Sequence, residues 1–146
     1  MKNIKQNYFY LKVPSKSANE RFVRACVAAF CAQLDPTVEQ LSDIKTAVSE
    51  AVTNCIVHAY RETLGNILVT CEILKDNVLR IKIRDKGCGI PDVKKAMEPL
   101  FTTGDEEERA GLGFAVMESF MDKIRVRSRV GHGTTVTLEK KISSKE

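Results

Sequence analysis

Glu50 and Asn54 stand four residues apart in a stretch where Leu41, Ile44, Ala47, Val48, Ala51, Val52, Cys55 and Ile56 recur at three- and four-residue steps. That spacing predicts a long helix over residues 37–60. It puts a carboxylate and an amide one turn, about 6 Å, apart on a face beside the apolar one. An amide oxygen is a hard, neutral ligand of the kind Mg²⁺ accepts together with waters and substrate phosphates. A carboxylate one turn away can take a proton from a hydroxyl. The polar edge of any amphipathic helix carries such pairs, so this one does not decide alone.

A second group runs from Asp85 to Phe114. Asp85-Lys-Gly87-Cys-Gly89-Ile-Pro91 opens it and Gly111-Leu-Gly113-Phe114 closes it. Between them, residues 97–110 have little apolar periodicity and carry Thr102, Thr103, Gly104, Asp105, Glu106, Glu107, Glu108 and Arg109, the pattern of a hinged lid. Gly87 and Gly89 are expected to turn the chain close beside a ligand. Gly111 and Gly113 are expected to open a helix whose free N–H groups suit phosphate. Either glycine pair alone would also fit an ordinary turn. No Walker A sequence occurs, so a nucleotide site would be of another kind.

Glu50-x-x-x-Asn54, Asp85-x-Gly87-x-Gly89 and Gly111-x-Gly113, in this order and separation, resemble the N, G1 and G2 boxes of the ATP-binding superfamily of gyrase, Hsp90, histidine kinases and MutL. Within it, Ser-Glu-Ala-Val-Thr-Asn at 49–54, Pro-Leu-Phe-Thr-Thr at 99–103 and Met-Glu-Ser-Phe-Met-Asp at 117–122 look like the anti-sigma-F factors of sporulation. That likeness covers nearly the whole chain. It implies an ATP-dependent serine protein kinase that holds a sigma factor and phosphorylates the sigma factor's antagonist. By the same resemblance Glu50 is the catalytic base, Asn54 holds Mg²⁺, and Asp85 reads the adenine amino group. Gly87, Gly89, Thr103, Arg109, Gly111, Gly113 and Thr134 complete the ATP contacts. Glu20 and Arg24 of the first helix are implied partner contacts, and a homodimer is implied too.

Two rival readings are a detached histidine-kinase ATP-binding domain and an ATP-gated module with no protein substrate. Against the first, Val57 stands where histidine kinases place a basic residue, and the chain has no room for a dimerising helical hairpin. Against the second stand the missing transducer domain and the short lid. The lid departs from the closer family in its acidic, proline-free run Gly104-Asp-Glu-Glu-Glu-Arg109.

The elements that must position these residues are legible in outline. Residues 8–13 alternate as a strand that Pro14-Ser15 ends. Ser17 with Glu20 has the capping-box spacing for a helix carrying Phe22, Val23, Cys26, Val27, Phe30 and Leu34, which Asp35-Pro36 stops. Residues 67–74 and 78–84 form a hairpin that delivers Asp85 to the sheet's mouth. A short helix over 90–97, a helix from Gly111, and a hairpin of 123–130 with 134–138 follow, and from Ile142 a polar tail is expected to fray. These parts predict a two-layer α/β fold, a mixed sheet with helices on one face. ATP would lie between helix 41–60, the Asp85 turn and the lid.

At 146 residues the chain is expected to be one domain. Its 23 basic and 19 acidic residues leave +4, spread along the chain without a basic block. Few aromatics accompany them, so direct nucleic-acid binding is not expected. No run approaches the roughly 20 apolar residues of a membrane span, and Met-Lys-Asn-Ile-Lys-Gln-Asn lacks a signal peptide's apolar core, so a cytoplasmic location is expected. Five cysteines without C-x-x-C spacing indicate neither a disulfide framework nor a zinc site, and Cys88 is the candidate for exposure. His58 reads as a structural hydrogen-bonder and His132 as an exposed turn residue.

Overall fold

Alternation of apolar and polar residues builds the sheet, and the apolar set fixes which face meets the helices. The computed structural model describes residues 4–61, 63–98 and 106–143, the side chains of 106–112 excepted. Strands β1 (Lys5–Pro14), β2 (Asn66–Leu74), β3 (Val78–Asp85), β4 (Lys123–Arg129) and β5 (Gly133–Lys141) pair in the order β1-β2-β3-β5-β4. Ile67, Val69, Cys71 and Ile73 of β2, Leu79, Ile81 and Ile83 of β3, and Val136 and Leu138 of β5 form the inner face. Onto it pack α1 (Ala18–Cys31), α2 (Val38–Asn54) and α4 (Glu106–Phe120), through Val23 and Val27, Ile44, Ala47, Val48 and Ala51, and Phe114 and Met117. Each Val, Leu, Ile, Phe or Met among these contributes about 1.5–3 kcal/mol on burial, and each alanine less. That packing, more than helix propensity, holds α2 where its polar edge meets the end of β3.

The two-layer α/β architecture is as expected, but the sheet is antiparallel in every pairing instead of mixed. The connections explain this. β2–β3 and β4–β5 are hairpins, and the β1–β2 connection passes through two helices, so the chain returns reversed. In the β2–β3 turn Asp76 and Asn77 both take positive φ, 65° and 60°, residue types that tolerate it best after glycine.

Helix ends differ from expectation in three places. The capping box forms at α2, where Gln40 N donates to Thr37 Oγ1 at 3.1 Å and Thr37 N to Gln40 Oε1 at 3.0 Å. At Ser17 it does not form, because Ser17 already has helical φ/ψ of −57° and −33°, and the Glu20 carboxylate accepts from Ser49 Oγ instead. The helix predicted to run to residue 60 stays α-helical to Asn54 and continues as a π-helical turn, Cys55–Ala59. Gly111 and Gly113 do not open a helix. α4 begins at Glu106 and encloses both, which suits the glutamates at 106–108, good helix formers beside the positive end of a helix dipole.

Ile142 is better anchored than the polar composition around it suggests. Ile142 is 1% exposed and its N–H donates to Asn77 O at 2.9 Å, because one further apolar residue after β5 reaches the core. Ile142 itself is therefore packed and not frayed, and residues 144–146 lie outside the described residues. Of the predicted lid, 97 and 98 end α3 (Val93–Met97) and its C-cap, 106–110 open α4, and 99–105 lie outside the described residues.

Gly89 has φ +78°, and a Cβ there would stand 2.3 Å from the carbonyl oxygen of Arg129. Gly89→Ala should therefore lower unfolding free energy by about 1–3 kcal/mol in urea titrations. No loss of stability would mean that this turn tolerates a side chain by shifting.

Candidate active site

On the inner face of β3 the series Leu79, Ile81, Ile83 is continued by Asp85, and on β5 the series Leu138, Val136 is continued by Thr134. Register sets Asp85 directly against Thr134. A core position is thus given to a carboxylate, which is 5% exposed and must be satisfied. Gly87 N donates to its Oδ1 at 2.9 Å and Thr134 N to the same oxygen at 3.2 Å. Oδ2 receives the Cys55 thiol at 3.5 Å. Burial pushes the Asp85 pKa above the ordinary 3.8, and the Gly87, Cys55 and Thr134 donors offset this in part. Burial, then the Asp85 charge, pushes Cys55 well above 9.0, so its sulfur stays protonated and donates.

The π-helical turn brings Cys55 and the Asp85 turn together. Tyr60 N reaches back to Cys55 O at 3.1 Å, and the Ala59 carbonyl accepts from Cys88 N at 3.1 Å. Wide turns of this kind recur at functional sites. Tyr60 Oη accepts from Lys86 N and donates to Asn66 O, both at 2.6 Å, tying the turn to the base of β2. On the other side Ser128 Oγ lies 2.7 Å from Thr134 Oγ1 and accepts from Ile90 N at 2.7 Å.

The polar pair on α2 meets the second glycine motif. A Cβ on Gly113 would come within 3.2 Å of Asn54 Oδ1 and of Glu50 Oε2. Gly113 therefore keeps the space before both groups open, although it lies inside α4 and not at its start. Among the described residues the buried Asn54 Nδ2 has no hydrogen-bond partner, an amide donor held short of one contact. Asn54, Cys55, His58, Asp85, Cys88, Gly89, Phe114 and Thr134 help line one cavity of about 60 Å³. Glu50 also lines an open groove of about 390 Å³ between α1 and α2, together with Arg24, Ser49 and Lys45. Arg24 faces Glu20 at 3.6 Å.

The residues singled out in sequence are thus placed unevenly. Glu50, Asn54 and Gly113 converge. Asp85, Gly89 and Thr134 line one cavity together with Asn54, and Gly87 donates to Asp85 beside it. Glu20 and Arg24 sit at the neighbouring groove. Thr103 lies outside the described residues, and for Arg109 and Gly111 only the place in α4 is described. Cys88 and His132 are exposed as expected, and His58 is half-buried and engaged in an interaction. Sequence reasoning missed Cys55 and Ser128, both of which read as ordinary members of an apolar stripe and a strand.

The Histidine kinase-like ATPase domain family matches residues 13–140. An anti-sigma F factor of Caldanaerobacter subterraneus subsp. tengcongensis is 59% identical over 93% of this chain and 94% of its own length. One from Geobacillus kaustophilus is 50% identical over 94% of each. The chain belongs to the anti-sigma F factors of the histidine kinase-like ATPase family. A Mycobacterium tuberculosis structure of RsbU and RsbW domains shares the fold at TM-score 0.70 and 22% identity, over 96% of this chain and 34% of that one. The catalytic domain of the histidine kinase ThkA does so at TM-score 0.58 and 19% identity, over 94% and 97%.

In this anti-sigma F family chain, Asp85 depends on the thiol of Cys55 for the only protein donor to Oδ2 among the described residues. Cys55→Ala should weaken ADP binding about 3- to 10-fold, and Cys55→Ser should restore it, as titration calorimetry would read. Equal affinity in all three proteins would make Cys55 a packing residue only.

Proposed function

We propose that the chain is an ATP-dependent serine protein kinase that also holds a sporulation sigma factor in the cytoplasm. The observation that carries this reading is the meeting of Glu50 and Asn54 with Gly113, across a cavity from the buried Asp85. One end of that site can recognise a base and the other can manage phosphate and a proton. Asp85 Oδ2 accepts a hydrogen bond from the adenine amino group, its other oxygen being fixed by Gly87 and Thr134.

The Asn54 amide oxygen and the Glu50 carboxylate, each 3.2 Å from where a Gly113 Cβ would stand, offer oxygen donors beside the space that glycine leaves, which fits a divalent cation with oxygen ligands, Mg²⁺. Asn54 would hold it. When bound, Mg²⁺ supplies charge neutralisation at the phosphates. Glu50 takes the proton of the attacking serine hydroxyl, and Arg109 adds positive charge at the terminal phosphate. Phosphoryl transfer asks mainly for such positioning and neutralisation.

Glu50 belongs both to the nucleotide side, through Gly113, and to the groove that Arg24 lines. A serine of the sigma factor's antagonist enters by that groove. Glu20 and Arg24 at its rim are the partner contacts, and the active form is a homodimer, as the family resemblance implies. Incubation with γ-labelled ATP, Mg²⁺ and the antagonist tests this reading. Label on an antagonist serine is expected, and label on histidine or on no residue would overturn it.

A further inference from the structure

The outer face of the sheet carries a block of cations that have no ion-pair partner among the described residues. In register across β3, β5 and β4, Arg84 stands beside Thr135 and Thr135 beside Arg127, and one rung on Lys82, Thr137 and Arg125 repeat the pattern. The next rung breaks it, because Arg80 is tied to Glu72 at 2.8 Å and Glu139 separates Arg80 from Lys123. Among the described residues Lys82, Arg84, Arg125 and Arg127 take part in no ion pair.

Cations on β3 and β4 are two strand spacings apart, about 10 Å, and successive rungs on one face are about 7 Å apart. The four charges therefore frame a rectangle with two threonine hydroxyls at its centre. Lys82, Arg125, Arg127 and both threonines line an open groove of about 770 Å³. Arg80, Lys123, Glu118, Asp122 and Glu139 line it too, at the end where the Arg80–Glu139–Lys123 rung lies. The groove thus has a cationic end and an end of mixed charge.

We infer that this face docks an acidic, extended polypeptide segment of a partner protein, with carboxylates at alternate positions over the Arg125 and Arg127 rungs. Side chains two apart on an extended chain repeat at about 7 Å, the spacing between the rungs, and arginine pairs carboxylates in a bidentate manner. A second copy of the chain is disfavoured, since it would bring like charges together. Single-stranded nucleic acid binds best where aromatic platforms adjoin the cations. Among the described strand residues the exposed aromatics, Tyr8 and Tyr10, stand on β1 with all of β2 intervening, and they pack on one another at 5.1 Å. Arg84 points outward while its neighbour Asp85 points inward, so this surface lies across the sheet from the active site.

A labelled octapeptide alternating glutamate and serine, titrated with the full chain and read by fluorescence anisotropy, tests the proposal. Saturable binding is expected that weakens at least about tenfold in Arg125→Glu/Arg127→Glu and also on raising salt. Lys82→Glu/Arg84→Glu, on the other side of the threonines, should give a comparable loss. An unchanged thermal midpoint would show that either variant still folds. Equal affinity for wild type and both variants would overturn the proposal. So would no binding at low salt, tighter binding of a single-stranded DNA oligonucleotide, or binding of an all-serine control peptide.

Discussion

Replacing Glu50 with glutamine lowers phosphoryl transfer to the antagonist about 100-fold or more, while ADP affinity stays within about twofold. Glutamine keeps the size and hydrogen bonding of the side chain but cannot accept the serine proton. Nucleotide affinity should persist because the proposed base and phosphate contacts lie on Asp85, Asn54 and the glycine turns. Packing against Gly113 is also kept, since the amide occupies the carboxylate's place 3.2 Å from where a Cβ would stand. Single-turnover transfer with labelled ATP separates chemistry from binding. Near wild-type transfer in this variant would make Glu50 a structural residue of α2.

Asp85→Asn should weaken ADP and ATP alike by roughly 10- to 100-fold, the worth of a hydrogen bond to a charged acceptor. The geometry makes this substitution harsher than its size suggests. Oδ1 accepts from both Gly87 N and Thr134 N, so the asparagine oxygen must stay there. Its NH₂ then takes the place of Oδ2 and meets the Cys55 thiol and the adenine amino group as donor against donors. Titration calorimetry of the variant gives the affinity, and an unchanged value would remove Asp85 from base recognition.

The same carboxyl sets a pH dependence. Burial raises its folded pKa above the ordinary 3.8. The folded state therefore binds this proton more readily than the unfolded one. Its contribution to stability is fully present below the unfolded pKa and is lost as pH rises through the folded value. Nucleotide binding runs the opposite way, since the protonated acid is a poorer acceptor. ADP affinity should fall as pH drops through the raised pKa, earlier than an exposed aspartate would permit. A pH-independent affinity across the acid range would contradict that role.

How much of this was legible in the sequence varies by residue. The helix bearing Glu50 and Asn54 could be read because eight apolar residues recur on one face. The hairpin delivering Asp85 could be read because β2 and β3 alternate cleanly. The sense of the sheet could not, since it depends on how many helices intervene between strands. Nor could the start of α4 be read. The glycines at 111 and 113 suggested a helix opening, whereas Gly113 serves inside the helix by letting α4 approach Asn54 and Glu50. Cys55 and Ser128 were invisible for another reason. Their roles arise from contacts with residues 30 and 6 positions away, and a small residue in an apolar stripe gives no sign of that. Ser17 with Glu20 shows the converse, a correct local spacing overridden by the pull of Ser49 on the Glu20 carboxylate.

Asp85 and the Glu50–Asn54 pair are proposed as the two ends of one nucleotide site. A crystal structure of the chain with Mg²⁺ and ADP tests this most directly. The adenine amino group is expected within hydrogen-bond distance of Asp85 Oδ2 and the metal ion on the Asn54 side-chain oxygen. A base placed away from Asp85, or a metal ion with no contact to Asn54, would contradict it.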